Sequence, residues 1–117
     1  MTGNVSKNWE YGQVDLTTAA TVYEVCRMHG GESVTIKALS ANSGSAWVGS
    51  DRLVSNTTGF ELDSSETLTL TLPIDFGRDN EITIYATTDN SGDNLCYIKL
   101  IGLHPSTEAS TGPAAGQ

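Results

Sequence analysis

Residues 66–73 read Glu66-Thr-Leu-Thr-Leu-Thr-Leu-Pro73, with Leu68, Leu70 and Leu72 at alternate positions and Thr67, Thr69 and Thr71 between them. Successive side chains of a strand point to opposite faces, so a period of two gives one dry face and one wet face. The β-branched threonines suit a pleated strand, and this spacing cannot gather the three leucines on one side of a helix. Pro73 lacks an amide donor and marks the end of the strand or a sheet edge. The stretch therefore predicts an antiparallel strand with one buried face.

The same signal recurs outward from this segment. Before it lie 14–17, 20–28, 33–40, 46–49 and 60–62; after it come 81–88 and 95–103. Between them stand turn signals such as His29-Gly30-Gly31-Glu32, Asn42-Ser43-Gly44, Asp63-Ser64-Ser65 and Asp89-Asn90-Ser91-Gly92-Asp93-Asn94. The last of these is expected to join its two strands as a hairpin, with Tyr97 beside Tyr85 across it. The 20–28 segment is less regular, since Val22, Cys26 and Met28 share a side with Glu24. The 95–103 segment is apolar on both faces except at Lys99, which predicts a central strand or one covered by a neighbouring subunit. About eight short strands at this spacing, with no helix-period segment, predict an all-β antiparallel sandwich of jelly-roll type, a small closed barrel being the alternative. The domain is expected over 13–103, between an N-terminal arm (1–12) that docks through Trp9 and Tyr11 and a C-terminal tail or arm (104–117).

The chain has 117 residues, one domain's worth, and carries 14 acidic against 6 basic residues for a net charge of −8. Lys7, Arg27, Lys37, Arg52, Arg78 and Lys99 are scattered. Nucleic-acid binding needs clustered cations to neutralise phosphates, so no nucleic-acid partner is expected. Cys26 and Cys96 stand 70 positions apart, outside any metal or redox spacing. They read as small hydrophobes of a chain made in a reducing cytoplasm. No leader-like or membrane-length apolar run is present, and no membrane partner is expected.

Chemistry-bearing patterns are thin. Asp89, Ser91 and Asp93 alternate like the opening of a calcium loop, but Asn94 and Leu100 stand where its glycine and bidentate glutamate belong, and a turn is the better reading. His29 and His104 are the two histidines, one in a glycine turn and one at the head of the tail. Neither accompanies a nucleophile motif. No catalytic residue, cofactor, metal or small-molecule substrate is expected. Aromatics remain as binding candidates. Trp9, Tyr11, Leu39, Trp47, Tyr85 and Tyr97 are expected at interfaces, where Tyr and Trp are enriched, and sugar stacking on the aromatics is the competing use.

Two stretches carry a family resemblance: VTIKALSANSGSAWVGSDRLVSNTTGFELDSSETLTLTLP and EITIYATTDNSGDNLCYIKLIG. Their steps are Asn42–Gly44, Trp47–Gly49, Gly59–Leu62, Ser64–Leu72 and Ile84–Ala86. Together they resemble small β-sandwich virion proteins of tailed bacteriophages. The resemblance implies a non-enzymatic virion structural protein, of the capsid decoration (cement) type. Such a protein binds the major capsid protein on the head exterior as a homo-oligomer and buries surface between capsomers. A tail- or fibre-associated module binding host carbohydrate, and a host-derived sandwich binding domain, are the alternatives.

Overall fold

A computed structural model describes residues 2–5 and 9–100, and its nine strands there form two antiparallel sheets. In chain order they are β1 (Thr2–Val5), β2 (Trp9–Leu16), β3 (Tyr23–His29), β4 (Ser33–Ala38), β5 (Ala46–Gly49), β6 (Phe60–Leu62), β7 (Thr67–Thr71), β8 (Glu81–Thr88) and β9 (Asp93–Leu100). One 3₁₀ turn, Ile74–Phe76, follows Pro73. The five-stranded sheet runs β1-β2-β9-β4-β7 and the four-stranded sheet β3-β8-β5-β6. Their inner faces share one core: Val14, Leu16, Val34, Ile36 and Leu95 from the first sheet meet Cys26, Met28, Val48, Leu62 and Ile84 from the second. The protein is thus an all-β antiparallel sandwich. The leucine/threonine stretch lies where its period places it, with Leu68 and Leu70 against the core and the threonines exposed.

Two expectations change. The 89–94 turn does not close a hairpin. β8 pairs with β3 and β5, whereas β9 pairs with β2 and β4 in the opposite sheet. At the crossing, the buried carboxylate of Asp93 accepts the amides of Ser43 (2.9 Å) and Gly44 (3.1 Å) and ties the start of β9 to the loop leading into β5. Tyr97 is consequently in a different sheet from Tyr85.

The N-terminal segment is also sheet, not a separate arm, where it is described. Trp9–Gly12 is the first half of β2, and Thr2–Val5 pairs with it as β1. The inward positions of this half are Glu10 and Gly12, so the dry face shows no apolar period until Val14 and Leu16. Residues 101–103 and the expected tail at 104–117 lie outside the described residues.

The mixed faces of the 20–28 segment have a simple cause. The register between β3 and β8 shifts between Glu24 and Cys26, a bulge that leaves both Val25 and Cys26 buried while Glu24 turns outward. At the next corner Gly30 is required by contact: a Cβ there would lie 2.6 Å from the Gly77 backbone.

Candidate functional site: the outer face of the five-stranded sheet

β2 and β9 alternate in step, because Trp9 faces Leu100, Glu10 faces Lys99, Tyr11 faces Ile98 and Gly12 faces Tyr97. One set of these pairs points outward. Trp9 (46% exposed), Tyr11 (49%), Ile98 (39%) and Leu100 (56%) form a block two residues wide on two adjacent strands. Together these four residues expose roughly 400 Å², most of it carbon, a size at which a patch on a soluble domain is often functional. Around them the same face carries Ser33, Thr35, Thr69 and Thr71, with Cys96 and Gln13 in the next row. Lys37 and Asp15 are the charged residues that its described strands present.

The inward set backs this block with a polar network. The Tyr97 hydroxyl donates to Glu10 Oε2 at 2.7 Å. Lys99 Nζ donates to the Arg27 carbonyl at 2.6 Å and lies 3.6 Å from Glu10 and 3.5 Å from Glu32. Glu32 also accepts the His29 amide at 2.9 Å, and the His29 ring lies between Glu32 (3.6 Å) and Glu81 (3.3 Å). Burial, and then the hydrogen bond to Glu10, raises the Tyr97 phenol above its ordinary range. Burial also pushes the nearby Cys26 thiol up to about 12, against the pull of the Lys99 ammonium. Every named charge here has a partner, and the network links the two sheets directly beneath the strand pair that carries the outer block. Its chemical effect is to hold that pair, with its two rows of apolar side chains, in one register.

The opposite side of the sandwich is of another character. Arg27 donates to Glu24 (3.0 Å) and lies 3.9 Å from Glu81, and the Arg52 guanidinium sits 4.9 Å above the Tyr85 ring. Trp47 is half-buried under the loop that follows β5: a Cβ on Gly59 would be 2.7 Å from both Trp47 Cβ and Val54 Cγ2. The six residues expected at interfaces therefore separate. Trp9 and Tyr11 share the apolar block. Tyr85 and Trp47 share the outer face of the four-stranded sheet, capped by Arg52 and the 51–59 loop. Leu39 is half-buried after β4, its amide donating to the Asn94 carbonyl, and Tyr97 is in the core.

Sequence reasoning missed Ile98 and Leu100, although the two-faced apolarity of their segment was the signal that an outer face needed covering. Lys99, the one exception to that apolarity, is an inward position of β9.

No family model matches this sequence, and no curated protein or solved structure matches it.

Proposed function

We propose that this chain is a non-enzymatic virion structural protein of the capsid decoration type, docking on the exterior of a tailed-phage head through the outer face of its five-stranded sheet. The observation that carries the reading is the Trp9–Tyr11–Ile98–Leu100 block, set on a nearly chargeless face of a domain with net charge −8. Charge depletion with aromatic enrichment is the composition of an interface core. At roughly 400 Å² the block falls short of the ~800 Å² per partner of a stable stand-alone interface. A lattice offers many copies of one site, and linked copies of a weak contact act together without any single one being tight. The major capsid protein is the partner that supplies such a lattice. The resemblance of residues 34–73 and 81–102 to small virion proteins supports the same reading. So does the interleaved strand order, which suits a jelly roll.

The test is stoichiometry and place in purified particles of the virus that carries this gene. Hundreds of copies per particle, labelled on the head exterior by antibody, are expected. Tens of copies at the tail, with glycan binding lost on Trp9→Ala, would replace this reading by the adhesion module. In a reconstitution with shells lacking the protein, Tyr11→Ser with Leu100→Ser should abolish attachment while the β-type circular dichroism spectrum is kept. Attachment at the wild-type level would remove the outer face as the anchor.

A further inference from the structure

β7 ends the five-stranded sheet, and its free edge has a regularity that the other three edges lack. β6 is three residues long, β1 is four, and β3 is broken by its bulge and flanked by Glu24 and Arg27. Soluble proteins commonly blunt their sheet edges by such means: short strands, bulges and charge. Thr67–Thr71 has none of them: five residues with no charge, no proline and no register shift against β4.

The hydrogen-bond phase of this strand is set at both ends. The Glu66 carbonyl accepts the Ala38 amide at 3.0 Å. Leu72 donates its amide to the Glu32 carbonyl and accepts the Gly31 amide, both at 2.9 Å. The even-numbered residues therefore turn their backbone groups toward β4. By the alternation of an antiparallel ladder, Thr67, Thr69 and Thr71 turn theirs to the open side, where no described strand meets them.

The segment is also a palindrome. Thr-Leu-Thr-Leu-Thr reads the same in both directions about Thr69. Turned by a two-fold axis at Thr69, a second copy places Thr69 opposite Thr69, Thr67 opposite Thr71 and Leu68 opposite Leu70. Each outward-facing amide then meets an outward-facing carbonyl, in three pairs that exchange bonds both ways. Glu66 falls opposite Leu72, and the two copies' Glu66 residues stand roughly 20 Å apart at the strand rise, beyond the ~8 Å screening length of physiological salt. The threonine hydroxyls continue a row that already joins Thr35 to Thr69 at 2.9 Å. We infer that two copies of this chain pair antiparallel through β7 about a two-fold axis at Thr69, fusing their five-stranded sheets into one of ten strands. Such an isologous contact is closed, so it makes a dimer and not a fibre. It brings two apolar blocks to the same side of one sheet, but it does not rest on the virion reading.

The test is the mass of the full chain in solution by sedimentation or light scattering, with circular dichroism as the control for folding. Thr69→Pro removes an amide that faces the open edge and leaves the ladder to β4 intact. Thr69→Lys and Thr69→Glu each put like charges together at the axis. All three should halve the wild-type mass, and mixing T69K with T69E should restore it. Backbone amides of Thr67, Thr69 and Thr71 should exchange with deuterium more slowly in the wild type than in T69K. A mass that T69P and T69K leave unchanged overturns the inference, whether that mass is a monomer's or larger. So does a loss of association in T69K that T69E does not rescue.

Discussion

Lys99 places an ammonium 3.6 Å from Glu10 and 3.5 Å from Glu32 with only 8% of its side chain exposed. Removing one member of a buried ionic cluster leaves the others desolvated and uncompensated, at about 3–5 kcal/mol. Lys99→Met keeps the aliphatic stem, so its cost isolates the charge. Urea denaturation at neutral pH should show a loss of about 3 kcal/mol, most of it recovered when Glu10→Gln and Glu32→Gln are added. A midpoint equal to wild type would show the ammonium to be dispensable. The neighbouring Cys26 and Tyr97 give the same region an alkaline limit. Both are raised in the folded state, from 9.0 to about 12 for Cys26 and upward from 10.0 for Tyr97, because burial opposes their anions. Between the unfolded and folded values the unfolded chain has lost protons that the folded chain keeps, so stability falls as pH rises. It should be level below about pH 9 and drop by on the order of 3 kcal/mol toward pH 12, with a shallower slope in Cys26→Ala. A flat profile to pH 11 would contradict this.

At the scale of elements, the strands were legible and their partners were not. Alternation marks a strand because burial acts on each residue separately, which is why 33–40, 66–72 and 81–88 lie close to β4, β7 and β8. Pairing depends on contacts between residues far apart in sequence. Asp89-Asn90-Ser91-Gly92-Asp93-Asn94 has the composition of a hairpin turn, yet it crosses between sheets, and Asp93 at the crossing binds amides 49 and 50 positions away. The outer apolar block was half legible for the same reason. Trp9 and Tyr11 stood out as aromatics, but only the pairing of β2 with β9 sets Leu100 and Ile98 beside them. Asp93 is accordingly where the crossing can be tested. Asp93→Ala leaves the Ser43 and Gly44 amides without their acceptor and should cost about 2–3 kcal/mol. Asp93→Asn keeps one acceptor oxygen and should recover part of that. A loss below 1 kcal/mol for the alanine variant would mean that other contacts choose the sheet of β9.

At the scale of the whole molecule, charge is distributed unevenly between two broad faces. The four-stranded side carries Glu24, Arg27, Glu61 and Glu81 and is laced by ion pairs, while the five-stranded side presents Asp15 and Lys37 beside its apolar block. A domain of net charge −8 repels its own copies at long range, and the repulsion reaches about 30 Å at 0.01 M salt but only about 8 Å at 0.15 M. Contacts made through the β7 edge or the apolar block contain no ion pair for salt to weaken. Both self-association and attachment should therefore strengthen as salt rises from 0.01 to 0.15 M, since screening removes the repulsion and leaves the backbone bonds and apolar burial nearly untouched. Attachment should also carry a negative heat-capacity change, the signature of apolar surface leaving water. Titration calorimetry at several temperatures and two salt concentrations reads both quantities at once. If binding weakens with salt, the contacts run through charged groups on the four-stranded side, and Arg27→Ala, not Tyr11→Ser, would be the variant that loses them.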